Sequence, residues 1–131
     1  MERLKVTPAM MLLLRMEIRS DMMDIVTERY SKLIEADNTQ EGDGERLQLL
    51  YVIARTDEFW EHKDKIYDFN NHCIVKEWDK MYDGTYGKML QRTMHLYNSS
   101  NDDIATVKLF WSLDEYNTQT MINAQMIYCG I

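Results

Sequence analysis

A single proline, Pro8, and five glycines are all that this 131-residue chain offers to interrupt regular backbone. Proline and glycine are the strongest helix breakers, so a chain this poor in both can run in long helices. Four of the five glycines, Gly42, Gly44, Gly84 and Gly130, fall where an apolar helical pattern ends or pauses. Polar caps recur ahead of such patterns: Thr7 before Pro8, Thr56 before Asp57 and Glu58, and Asn101 before Asp102 and Asp103. No stretch alternates apolar and polar residues as a half-buried strand would. The sequence therefore predicts an all-α fold, a compact bundle of five or six helices forming one domain over residues 1–131. A chain of this length can bury roughly two-thirds of the surface that its unfolded form exposes.

The longest pattern spans residues 8–36. At 100° per residue Met11, Leu14, Ile18, Met22, Ile25, Val26, Tyr30 and Leu33 share one face, with Glu17, Asp21, Asp24, Glu28 and Glu35 opposite. That apolar arc covers roughly 200°, where a helix facing a single core needs a little over 100°. A helix about 43 Å long with so wide a face is predicted to be the spine of the bundle. After a polar break at 37–44, residues 45–55 continue as a second, strongly apolar helix, making a hairpin with the first. Further helices are predicted from Thr56 onward, over 72–82 with Asn70-Asn71 as its cap and a stop at Gly84, and over 85–97. One kinked helix or two shorter ones follow over 102–129, ended by Gly130.

Several functional classes are disfavoured. The longest apolar run, residues 9–14, is far short of the roughly 20 residues needed to cross a bilayer. Charge at Arg15 and Glu17 breaks it before it could serve as a secretory signal, so a cytoplasmic protein is expected. Cys73 and Cys129 permit only one bridge, too few for a disulfide scaffold, and are read as free thiols. The triplet Asn98-Ser99-Ser100 fits a glycosylation acceptor but carries no weight without a secretory route. A net charge of −7 opposes nucleic acid and anionic lipid and suits a basic partner.

Each candidate site has an incomplete signature. Asp37, Thr39, Glu41, Gly42 and Asp43 match the opening of a calcium loop, but Gln48 stands where the bidentate Glu is needed. Glu58, Glu61 and His62 offer metal ligands on adjacent helical turns, yet no Glu-x-x-His or His-Glu-x-x-His pattern exists to complete a bundle centre. Cys73 has Lys76 one turn on, and no triad can be assembled around it. Lys76, Lys80, Lys88, Arg92 and Lys108 form the densest basic set, interleaved with Trp78, Tyr82 and Tyr86 and interrupted by acids. Trp60, Trp78 and Trp111 are predicted to be core groups, with truncation of Trp111 costing roughly 3 to 5 kcal/mol.

No metal, cofactor or catalytic residue is assigned. The sequence points to a small non-catalytic interaction or regulatory protein that self-associates as a homodimer or docks on a protein partner. The interaction surface is placed on the methionine-rich first helix at Met10, Met11, Met22 and Met23, because thioether side chains adapt to varied partners. A composition low in Gly, Pro and Ala and rich in Met, Asp, Tyr and Ile resembles that of phage and viral accessory proteins. Two other classes stay open: a helical-bundle enzyme built on Glu58, Glu61 and His62, and a nucleic-acid-associated regulator.

Overall fold

The computed structural model describes residues 23–99 and 103–131. Seven α-helices dominate them: α1 Met23–Asp37, α2 Gly44–Arg55, α3 Asp57–Glu61, α4 Lys63–Ile66, α5 Gly84–Tyr97, α6 Thr106–Trp111 and α7 Glu115–Cys129. The chain is mostly helical, as its breaker-poor sequence requires. Thr7, Pro8 and the rest of the predicted long helix before residue 23 lie outside the described residues, as does the cap at Asn101 and Asp102.

The centre of the fold is α2. Nine consecutive residues, 47–55, are buried on every side of that helix, and α1, α5 and α7 pack around it. α1 contributes Val26, Tyr30 and Leu33, while Ile25 remains half exposed. α5 contributes Met89, Leu90 and Met94, and α7 contributes Met121, Ala124 and Ile127. Methionine fills core gaps at three of these sites, a use its flexible thioether suits. Gly44 is set by close approach: a Cβ there would lie 2.5 Å from the Tyr128 carbonyl oxygen, so the start of α2 meets the end of α7 only because the side chain is missing.

Caps explain several boundaries. Asp43 accepts from the Arg46 N–H at the start of α2, and Asp114 accepts from the Asn117 N–H at the start of α7. Gly130 ends α7 in the left-handed region at φ 73°. Asp114 also separates α6 from α7, resolving the two-helix alternative for the C-terminal region. Thr56 precedes α3 but its side chain makes no capping bond.

Two sequence expectations are corrected. Residues 72–82 are not a helix. Tyr67–Asp68 (β1) and Cys73–Ile74 (β2) form a two-residue antiparallel hairpin, pairing Tyr67 with Ile74 and Asp68 with Cys73, followed by a 3-10 turn at Trp78–Lys80. Asp68 caps the connecting turn by accepting from the Asn70 and Asn71 N–H groups and the Asn71 side chain. This Asx geometry competes with helix and takes the Asn-Asn pair that reads as an N-cap. Gly84 accordingly opens α5 at φ 58° instead of closing a preceding helix. Second, Trp111 is 88% exposed, while Trp60 and Trp78 are only partly buried. The aromatic core consists of Tyr30, Tyr51, Tyr67 and Phe59, with Tyr30 and Tyr51 meeting edge to face at 5.6 Å.

The tyrosine hydroxyls are satisfied inside this core. Tyr30 donates to the Leu47 carbonyl, and Tyr51 accepts from Asn123 Nδ2 at 2.7 Å. Burial pushes both phenols well above their ordinary range. A phenol that resists ionisation only when folded stabilises fully below the unfolded value of about 10 and loses that contribution as pH climbs through its folded value. Stability should therefore fall steeply above about pH 10, with tyrosinate absorbance appearing together with loss of helical circular dichroism. Leu50→Ala should cost about 2 to 5 kcal/mol in urea unfolding, whereas Trp111→Ala should change stability by less than about 0.5 kcal/mol.

Candidate functional site

The most exposed large apolar groups sit together on α6. Val107 is 76% and Trp111 88% exposed, one helical turn apart on the same face. The opposite side of α6 faces inward through Leu109, with Ile104 buried just before the helix. A set of bonds from Arg92 on α5 fixes this orientation. Its Nε donates to Asp103 Oδ1 at 2.7 Å, and its Nη2 donates to the Ile104 carbonyl at 2.7 Å and to Thr106 Oγ1 at 3.2 Å. Asp103 also accepts from the Ile104 N–H. Partial burial would raise the Asp103 carboxyl, but the Arg92 guanidinium and that N–H outweigh it and hold it below the usual carboxylate range. Trp111 is thus presented to solvent by a helix pinned at its start.

Beside α6 lies a cleft of about 540 Å³ between the 3-10 turn, the first turns of α5 and α6. Trp78 and Tyr82 form its aromatic lining, Lys88 and Lys108 bring two ammonium groups, and Asp79 and Asp83 bring two carboxylates. Gly84 and Gly87 leave part of the wall bare. Of the basic and aromatic set noted in the sequence, Trp78, Tyr82, Lys88 and Lys108 converge here, while Arg92 is engaged with Asp103.

Glu58, Glu61 and His62 also converge: one ligand atom from each lies within 4.8 Å of the others. Glu58 Oε1 is 3.5 Å from His62 Nδ1, and that nitrogen is 3.1 Å from the Glu58 carbonyl oxygen. Tyr82 OH stands 3.5 Å from Glu58 Oε1, and burial, aided by the Glu58 charge, pushes the Tyr82 phenol up to about 12. All three ligands come from one short, solvent-facing stretch, and they form the one such cluster among the described residues.

A fourth constellation left no trace in sequence. Asp37, at the end of α1, has a fully buried carboxylate whose Oδ1 accepts from Tyr67 OH at 2.7 Å and lies 2.9 Å from His72 Nδ1. Its Oδ2 accepts from Thr39 Oγ1 at 2.6 Å. Burial and the Asp37 carboxylate together hold the Tyr67 phenol far above its ordinary value. His72 is 46% exposed at its side chain and sits in the left-handed region at φ 56°, and its carbonyl accepts from Arg46 Nη2. The group fastens the β hairpin to the end of α1 and the loop that follows it. Asp37 opens the calcium-like stretch, and its carboxylate is committed to these internal donors. The partners lie 30 and 35 residues away in sequence, beyond the reach of any spacing pattern.

Of the methionines assigned to an interaction surface, Met10, Met11 and Met22 lie outside the described residues, and Met23 is the first residue of α1. No helix among the described residues is long and apolar enough to cross a membrane. Cys73 and Cys129 are exposed free thiols.

The structure defines a helical protein organised around one buried helix, with an exposed tryptophan face and a mixed polar and aromatic cleft beside it. The chain belongs to a family of unknown function, DUF6075, whose model matches residues 22–129. No curated protein and no solved structure matches it.

Because Glu58, Glu61 and His62 are drawn from one exposed stretch, with a His62 nitrogen already close to a backbone carbonyl, they are expected to hold metal only weakly. Elemental analysis of purified protein should find well under one zinc, iron or calcium ion per chain. A stoichiometric ion that disappears in His62→Ala would establish a metal centre there.

Proposed function

We propose that this chain is a non-catalytic interaction or regulatory protein that inserts the Val107 and Trp111 face of α6 into an apolar pocket on a protein partner with a basic rim. The observation that carries the reading is Trp111, a tryptophan 88% exposed on a helix held in place by Arg92. Tryptophan is among the residues that most often dominate binding energy, and a pinned helix loses little freedom when its partner docks. The exposed acids Asp114 and Glu115 lie three and four residues after Trp111, and the whole chain carries −7, so a basic rim complements the surroundings of the anchor. A second copy fits less well. Two side chains on a six-residue helix are small beside the roughly 800 Å² per partner that a stable dimer buries, and two chains of equal charge repel.

The methionine-rich segment extends this proposal. Continuation of α1 toward Pro8 would give the single domain a long N-terminal spine within a bundle, and Met10, Met11, Met22 and Met23 would supply a second, adaptable contact surface. Free Cys73 and Cys129 suit a reducing, cytoplasmic setting. A phage or viral accessory role is compatible with such a small docking protein and rests on composition alone.

The test is site-specific photo-cross-linking from position 107 in host extract, repeated with Trp111→Glu and Met23→Glu, alongside light scattering. The expected result is a monomer that cross-links one basic protein, with the product lost in Trp111→Glu, weakened by salt and retained in Met23→Glu. A folded Trp111→Glu variant that gives the same product would overturn the reading. A wild-type dimer converted to monomer by Trp111→Glu would assign the face to a second copy instead.

A further inference from the structure

We propose that the cleft between the 3-10 turn, α5 and α6 binds a nucleoside monophosphate, with its base against Trp78 and Tyr82, its phosphate on Lys88 and Lys108, and its ribose hydroxyls on Asp79 or Asp83. The ion pairs among the described residues include neither lysine, although Asp79 and Asp83 line the same cleft. Two ammoniums and two carboxylates cancel, so the cleft is a poor receptor for a bare anion and a poor receptor for a cation. The ligand that fits must present an anionic end and hydrogen-bond donors apart from it. A nucleotide does so: its phosphate accepts from ammonium groups and its ribose hydroxyls donate to carboxylates, a pairing that nucleotide-binding folds use repeatedly.

The aromatic lining supplies the third element. Trp78 is only partly buried, lying against the core while also lining the cleft. An indole so placed is a stacking surface for a planar ring, an interaction worth about 1 to 3 kcal/mol per base in single-strand binding proteins. The volume of about 540 Å³ lies within the range of small-ligand sites. A mononucleotide is favoured over a nucleic-acid strand because the net charge of −7 repels a polyanion, which would need a basic track extending beyond two lysines.

Isothermal titration of the full chain with AMP, GMP, CMP and UMP tests this, with inorganic phosphate and an oligo(dT) of about a dozen nucleotides as the other probes. At least one monophosphate should bind at millimolar or lower concentration. Lys88→Ala/Lys108→Ala should weaken it about tenfold or more while keeping the wild-type circular dichroism, since both side chains lack carboxylate partners among the described residues. Lys76→Ala, outside the cleft, should leave binding unchanged. Trp78→Phe should weaken binding less than loss of both lysines, because phenylalanine retains a stacking face. Absence of binding by every monophosphate, or equal affinity in the double lysine variant, would overturn the proposal. Phosphate binding as tightly as the nucleotide would reduce the site to an anion site and sink the nucleotide assignment. Tighter, steeply salt-dependent binding of oligo(dT) would replace it with a single-strand surface.

Discussion

Burial of α2 on every side is the constraint that the rest of the architecture answers. A helix with a dry circumference needs neighbours all round, and it must find partners for each polar group it carries inward. Gln48, Tyr51 and Arg55 are such groups, and the Tyr51 hydroxyl accepts from Asn123 on α7. Gln48 Nε2 donates to the Thr93 carbonyl at 2.8 Å and to the Glu45 carbonyl at 3.1 Å, tying α2 to α5, while its buried Oε1 has no hydrogen-bond partner among the described residues. Arg55 donates to Thr120 Oγ1 at 2.7 Å, stacks 4.1 Å above the Tyr116 ring and offers its carbonyl to Tyr116 OH, tying α2 to α7. Burial pulls the Arg55 guanidinium below its ordinary value, yet an arginine remains charged under any physiological condition. A buried cation tolerates few arrangements, so these bonds fix how α7 is rotated as well as that it packs. Apolar contact alone would leave that rotation loosely determined.

Legibility in the sequence followed helix length. The second helix and α5 came from apolar periodicity and stand almost at the expected boundaries, whereas the C-terminal region, open in sequence between one helix and two, is divided by the break between Trp111 and Glu115. Short elements were missed because they carry too few residues for a period. Each strand of the hairpin is two residues long, and the Asn70-Asn71 pair that reads as a cap serves an Asx turn set by Asp68. The Trp111 error has the same origin. Around α6, Ile104, Val107, Leu109, Phe110, Trp111 and Leu113 are apolar in all directions, so composition cannot say which faces the core. Leu109 is buried and Trp111 exposed on a helix whose start is held by Arg92, a tertiary contact that the sequence does not display. The convergence of Glu58, Glu61 and His62 was visible as helical spacing. The Asp37, Tyr67 and His72 group was not, since it is assembled by the α1–α2 loop and a hairpin that the sequence did not reveal. Met10, Met11 and Met22 lie outside the described residues.

The same arrangement explains why exposed apolar surface should concentrate on α6. α1, α5 and α7 place their apolar sides on α2, while α6 touches α5, buries Leu109 with Ile104 just before it, and packs Phe110 against the core. A six-residue helix buries little and would fray without further restraint, because isolated helices of this length are unstable in water. Arg92 provides that restraint at the N-terminal end by binding Asp103, the Ile104 carbonyl and Thr106 together. A stability-driven design would turn Trp111 inward or replace it with a polar residue. On the proposed reading, Trp111 faces outward from a helix held by charged hydrogen bonds so that a partner can complete the surface. Lys108 extends the argument, since the residue between Val107 and Leu109 lines the adjacent cleft. α6 therefore presents an apolar face and one wall of a polar cavity from the same pinned turn. Occupants of the two surfaces would share Arg92 as their common support, so any influence of one on the affinity of the other must be matched by an equal influence in return.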